Sequence, residues 1–383
     1  MKMLSASLAL AAAMGASATF NIPAFDQSAV DSGLALASLN GIALLQSATR
    51  YGGSCNPSNV KIRREWRTLS KAQRRSYIKA VQCIQQKPSR LPEGVAAGSK
   101  TIFDDFVYLH MKATEFVHYT GNFLIWHRNF IHVYERELHA CGYKDPLPYW
   151  EWGYDAEAPQ LSPIFDGSDT SMSGDGEFVP GPPVSLELPG NPAPIVLAKG
   201  TGGGCVTSGP FVNMTVRLGP STEPDPTADN PRCLKRDLNA DSSRRFASFR
   251  NTTDLILDSP TIEAFRTTME GDPSYTPDAL GVHRGGHYIL GGDPGGDAYV
   301  SPGDPVFYLH HAQVDRIYWI WQMLDFENRQ GVFGTNTMLN IPPSENTTVE
   351  DTVDVGHLGG PIKIKNLMST TGQNGSPLCY VYV

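Results

Sequence analysis

The chain has 383 residues, ten histidines, six cysteines and a formal net charge of -8 at pH 7. That mild acidity argues against nucleic acid as a partner, and beyond the N-terminus no stretch is apolar for long enough to span a bilayer. The length suits one large domain or two ordinary ones.

The first residues read as a secretory signal over 1–18. Lys2 gives the positive end, Leu4 to Met14 the apolar run, and Ala16-Ser17-Ala18 the cleavage site. The expectation is a secreted, extracellular protein with one domain over 19–383 and no membrane span. The cations from Lys61 to Arg75 read as a solvated helix face. Ser70 and Gln73 form a capping-box signature for a helix that ends before Pro88, with Tyr77, Ala80, Val81 and Ile84 on its apolar face.

Two helices follow, over about Phe103 to Val117 and Phe123 to His139, broken at Thr120-Gly121 and closed by Gly142. The stretch from Thr101 to Cys141 holds half of the ten histidines. His110 and His127 fall on the inward apolar stripes. His118 falls at the frayed end of the first helix, because a regular helix would turn it about 80° from His110. Taken singly, each reads as a buried imidazole bonded to a carbonyl; taken together they point to metal, since imidazole is the commonest metal ligand. His132, His139 and His357 read as surface or packing residues.

From Asp155 to Arg250 Gly and Pro are frequent, strand signals are short and no long helical period survives, which suggests functional or surface loops. Pro260 to Met269 reads as a helix. His283 and His287 then stand one helical turn apart in Gly281-Val-His283-Arg-Gly-Gly-His287, and the two glycines between them imply close backbone approach. In the last helix Phe307, His311, Val314, Tyr318 and Trp321 share a face. After Glu327 the pattern dissolves into loops and short extended segments. The expected fold is mainly α: a four-helix core holding a dinuclear site, with long loops and short strands around it.

Six scattered cysteines in a secreted chain read as disulfides, with Cys205 paired to Cys233 because they bracket one irregular segment. The sequons at Asn213, Asn251 and Asn346 would mark surface loops if glycosylated. Asp315 reads as an ion-pair partner of Arg128 or Arg316; its alternative role is to orient a ligand imidazole.

Two segments resemble the copper-binding regions of the tyrosinase and catechol oxidase family, the type-3 dinuclear copper proteins. Gly121-Asn-Phe-Leu-Ile-Trp-His127-Arg128, with His118 upstream, is similar to the first region. Asp304-Pro-Val-Phe-Tyr-Leu-His310-His311-Ala-Gln-Val-Asp315-Arg316 is similar to the second. The resemblance spans roughly Cys55 to Gln330 and suggests a short secreted fungal-type member. It implies two copper ions, one held by His110, His118 and His127, the other by His283, His287 and His311, with His310 beside them. Six imidazoles and no carboxylate agree with copper. It also implies oxidation of o-diphenols to o-quinones with dioxygen as co-substrate and small phenols as partners.

Hydroxylation of monophenols is linked in the family to a glutamate-held water and an asparagine after the fourth histidine. Glu270-Gly271 resembles the glutamate motif, but Arg284 replaces the asparagine, which implies weak tyrosine hydroxylation and a positive charge that favours acidic phenols. Tyr288 lines the same entrance by this reading. Ala298 stands where a bulky gate often occurs and implies an open site. Phe116 replaces the cysteine that some members cross-link to the second histidine, and the tail after Gln330 is too short for the covering domain of other members. The competing readings are a full tyrosinase, an o-aminophenol oxidase, a dioxygen-binding protein, and a zinc or iron hydrolase, which would call for bridging carboxylates.

Overall fold

The computed structural model describes residues 22–188 and 190–383. The expected signal segment lies outside the described residues. The fold is mainly helical, as the periodicity predicts. In chain order the helices are α1 (Gln27–Asp31), α2 (Leu34–Ser47), α3 (Lys71–Ile84), α4 (Ile102–Val117), α5 (Phe123–Ala140), α6 (Ala240–Phe246), α7 (Phe249–Asp258), α8 (Ile262–Glu270), α9 (Gly281–Leu290) and α10 (Phe307–Leu324). No helix among the described residues is long and apolar enough to cross a membrane.

Helices α4, α5, α9 and α10 form the core, with α4 on α5, α5 on α10 and α9 on α10. Their starts follow from local chemistry. Thr101 and Asp104 form a reciprocal capping box on α4, and Ser70 and Gln73 form the expected one on α3. α10 is buried along almost its whole length, so it is apolar on nearly every side rather than on one stripe. Tyr134 stacks on Tyr308 with ring centroids 3.4 Å apart, joining α5 to α10.

The strands are short and pair two by two: β1 (Lys61–Arg63) with β10 (Tyr380–Tyr382), β2 (Gly176–Phe178) with β5 (Gly203–Val206), β3 (Val184–Leu186) with β4 (Ile195–Leu197), β6 (Thr215–Val216) with β7 (Arg232–Cys233), and β8 (Thr352–Asp354) with β9 (Pro361–Lys363). Only β1 and β10 run parallel. Disulfides join Cys205 to Cys233, as expected, and also Cys83 to Cys141 and Cys55 to Cys379. The second bridge ties the end of α3 to the end of α5, and the third ties the chain just before β1 to β10.

Several expectations fail for physical reasons. Lys61 to Arg75 is not one solvated helix face, because only Lys71 onward is helical. Arg63 is fully buried, donating to Glu135 at 2.5 Å and to the Tyr382 hydroxyl at 2.8 Å. Arg67 engages Glu65 and Asp155. Within 155–250 the strands are short, as expected, but the end of the region is helical, in α6 and the start of α7. Asn251 marks no loop, since it caps the first turn of α7 and its amide donates to the Arg245 carbonyl at 3.2 Å. Asn213 and Asn346 are exposed.

Candidate metal centre

The sequence forces the first three histidines to converge by ending α4 early. His118 is the C-cap residue, with extended φ and ψ of -121° and 140°. That departure from the helix swings its ring back toward His110, which a continued helix would not do. His127 projects from the first turns of α5. One ring nitrogen from each lies within 4.8 Å of the others.

Each ring is fixed through its Nδ1 to a backbone carbonyl: His110 to Tyr299 at 2.9 Å, His118 to Thr114 at 2.9 Å and His127 to Phe123 at 2.8 Å. These bonds place the proton on Nδ1 and leave the Nε2 lone pair facing the centre. The Nε2 atoms of His110 and His127 are buried with no hydrogen-bond partner. Buried polar atoms are rarely left so, and a metal ion answers the deficit. The histidine bonded to a carbonyl and the histidine aimed at a metal thus turn out to be the same residue, one nitrogen for each role.

His283 and His287 lie on α9 and His311 on α10. The Nε2 of His287 is 3.2 Å from the Nε2 of both His283 and His311. His310 belongs to the same cluster, and its ring lies against Gly286, where a Cβ would come within 2.3 Å of it. At Gly285 a Cβ would come within 2.6 Å of the Phe246 side chain. The close approach inferred from the two glycines is therefore to the His310 ring on one side and to α6 on the other. The two groups adjoin: ring centroids are 4.4 Å apart for His127 and His311 and 5.7 Å for His118 and His283.

Burial holds every one of these imidazoles neutral at ordinary pH. It pushes His110 down to about 4 and His118 and His310 to about 3. His127, His283, His287 and His311 are driven well below their usual value, first by burial and then by one another. Neutral imidazoles offer lone pairs, and an all-nitrogen set without a carboxylate suits copper or another late transition metal rather than a hard cation. The residues present fit a two-metal centre.

A cavity of about 210 Å³ opens onto this cluster. It is lined by His118, His283 and His287 together with Glu270, Arg284, Tyr288 and Ala298, the residues singled out from the sequence. Tyr299 and Met338 also line it, so the tail after Gln330 does reach the mouth. The volume is below the usual range for drug-sized ligands and suits a single substituted ring. Glu270 is buried; Oε1 accepts from the Tyr119 amide at 2.7 Å and Oε2 from Arg266 at 3.1 Å. Burial raises its carboxyl to about 7 against the pull of Arg266.

Asp315 does not reach an imidazole. It accepts from Arg128 at 2.6 Å, from the hydroxyls of Tyr380 and Tyr382 at 2.6 Å each, and from Arg63 at 3.4 Å. The ion-pair expectation stands for Arg128 and fails for Arg316, which bonds Glu151 at 2.6 Å instead. His139 approaches Glu135 at 3.4 Å and His357 approaches Asp105 at 3.3 Å, both away from the centre. Phe116 is about half exposed.

Sequence reasoning missed Tyr119. Its backbone is left-handed, with φ 52°, and its hydroxyl accepts a close hydrogen bond from Arg284. The signal available was its place directly after His118, where the helix had to break.

Residues 100–324 match the family model described as the common central domain of tyrosinase. Tyrosinase P of Aspergillus terreus is 38% identical over 363 residues, covering 90% of this chain and 98% of that protein. The N-acetyl-6-hydroxytryptophan oxidase of Emericella nidulans is 35% identical over 356 residues, covering 86% and 93%. Among solved structures, a variant of the polyphenol oxidase from Thermothelomyces thermophila superposes with a TM-score of 0.81 at 40% identity, covering 93% of this chain and 97% of that one.

Proposed function

This chain belongs to the tyrosinase family, and from that premise we propose that it is a secreted copper oxidase that converts o-diphenols to o-quinones with dioxygen and hydroxylates tyrosine slowly or with a lag. The observation that carries the reading is the ring-sized cavity lined by three of the six converging histidines. His110, His118 and His127 would hold one copper and His283, His287 and His311 the other. Copper held there would supply the redox capacity, the oxidation of two diphenols matching the four-electron reduction of one dioxygen to water.

The protein's part is to bind and orient. The carbonyls of Tyr299, Thr114 and Phe123 fix three imidazoles so that no rotation is needed when metal enters. Buried Phe123 and Phe307 pack on the histidines, with centroids 5.0 Å from His127 and 4.2 Å from His311, and so keep water from the buried side. On the cavity side the aromatic residues are Tyr119, Tyr288 and Tyr299, which would accept the face of a phenol.

Two features favour diphenols over monophenols. A monophenol must surrender its proton near the metal, and Glu270 is our candidate for the carboxylate that would hold the accepting water. Both of its oxygens already accept bonds, from Tyr119 and Arg266. At the position after His283 stands a guanidinium that cannot accept a proton. The disulfides are compatible with secretion.

The test is oxygen uptake by copper-loaded protein against monophenols, o-diphenols and o-aminophenols. Fast turnover of o-diphenols with slow or lagging tyrosine turnover is the expected result. Rapid, lag-free tyrosine hydroxylation would overturn the reading of Arg284, and uptake with o-aminophenols alone would reassign the substrate.

A further inference from the structure

Arg284 is half-buried at the cavity wall, yet it forms no ion pair with any described carboxylate. Its one hydrogen-bond partner among the described residues is the Tyr119 hydroxyl, and its guanidinium carbon is 5.6 Å from the centroid of that ring. A guanidinium carries five N–H donors, so most of them remain available in a cavity that is otherwise largely apolar. Three carboxylates line the same cavity, and of these Glu187 is exposed and makes no ion pair with Arg284. Glu270 is held by Arg266 and the Tyr119 amide, and Asp297 accepts from the amides of Ser221 and Tyr299. A partly desolvated cation without a counter-ion is costly, and it is tolerated where a ligand supplies the missing charge.

Tyr119 is itself held at two ends. Its amide bonds Glu270 on α8 and its hydroxyl bonds Arg284 on α9, while its left-handed backbone directly follows His118. Such a backbone is uncommon for a bulky residue and persists where surrounding contacts fix it. The phenol therefore sets the direction of the guanidinium.

We propose that Arg284, aimed by Tyr119, is the receptor for a carboxylate on the substrate, so that the preferred phenols carry a short carboxylate-bearing side chain. Arg284 touches the substrate and sets specificity; Tyr119 is a positioning residue. A guanidinium matches a carboxylate with two parallel hydrogen bonds. A doubly charged phosphate would find only this one cation among the residues lining the cavity. The proposal rests on the phenol-oxidase reading of the same cavity, and its test has one arm that needs no copper.

In the first arm, copper-free protein is titrated with 3-phenylpropionate and with 3-phenylpropanamide, followed by saturation-transfer NMR. We expect the acid to bind about tenfold tighter, the scale of one charge-assisted hydrogen bond. Arg284→Gln should bring that ratio close to one, while Arg284→Lys should keep part of it.

In the second arm, copper-loaded protein is assayed with 3-(3,4-dihydroxyphenyl)propionate and its amide. The acid should have the higher kcat/KM through a lower KM, and Tyr119→Phe should raise the KM for the acid more than that for the amide. Equal binding of acid and amide, or an acid preference that survives in Arg284→Gln, would overturn the proposal. If the loaded protein oxidises no catechol but the copper-free protein still prefers the acid, the oxidase reading fails and the receptor stands.

Discussion

A single imidazole here satisfies two demands, and the backbone decides which nitrogen meets which. The sequence made the six histidines legible because three sit on helix faces, two of these on apolar stripes, two stand one turn apart with glycines between them, and His118 falls where its helix ends. It could not show the carbonyl that each Nδ1 finds, since that depends on how α4 and the loop at Tyr299 meet. Gly286 shows the converse, a residue whose meaning was visible as a need for space. Adding a methyl there would drive it against the His310 ring, and overpacking of this kind costs roughly 1–3 kcal/mol. Gly286→Ala should lower Tm and reduce bound copper from two ions toward one, read by metal analysis. Full loading at an unchanged Tm would show that His310 has room to move.

Glu65 offers a residue-scale test by pH. Burial raises its carboxyl from 4.5 to about 7 and outweighs the attraction of Arg67. A raised acid is protonated in the folded chain where it is ionised in the unfolded one, so its contribution is full below pH ~4.5 and is lost as pH rises through ~7. Relative to Glu65→Gln, the wild type should lose about 2–3 kcal/mol of stability between pH 4.5 and 8, measured by urea unfolding across that range. Parallel profiles for the two proteins would show that Arg67 holds the carboxylate ionised throughout.

Helices were the most legible elements wherever a cap and a stripe coincided. α4 and α5 begin and end within a residue or two of the spacing-based boundaries, because Thr101, the Thr120-Gly121 break and Gly142 act locally. α2 escaped notice. It carries no charged residue and its apolar positions are not confined to one face, so it shows neither a clear amphipathic period nor a basic or acidic terminus. The segment 61–63 misled for a related reason. Its cations looked solvated, but Lys61 and Arg63 share one face of a short strand and both reach Glu135 on α5, Arg63 from full burial. The cap of α4 matters for the centre as well as for the helix, since that helix delivers His110 and releases His118. Thr101→Ala should cost about 1 kcal/mol of unfolding free energy while leaving copper stoichiometry at two, because the carbonyl bonds of the imidazoles lie farther along the chain. Loss of a copper ion in that variant would mean that the helix start and the metal group move together.

At the scale of the whole molecule, distant parts of the chain close on one buried carboxylate. Asp315 on α10 takes hydrogen bonds from Arg128 on α5, Arg63 on β1, and Tyr380 and Tyr382 on β10. The attraction of both arginines keeps it below the usual carboxylate range despite complete burial. The Cys55–Cys379 bridge and the β1–β10 pairing hold the same junction together covalently and through the backbone. None of this was legible beyond the Arg128 partner, because it depends on a return of the chain over 324 residues, and local patterns carry no record of such a return. Asp315→Asn removes the charge and leaves Arg128 buried without a carboxylate, while Arg63 keeps Glu135, a loss on the order of 3–5 kcal/mol. We expect the variant to unfold at markedly lower denaturant and, while folded, to bind two copper ions with ordinary affinity, since no imidazole touches this carboxylate. Calorimetry and copper titration on the same sample separate the outcomes. A variant of normal stability but weakened copper binding would mean that Asp315 acts on the metal group through α10 and not as the knot of the fold.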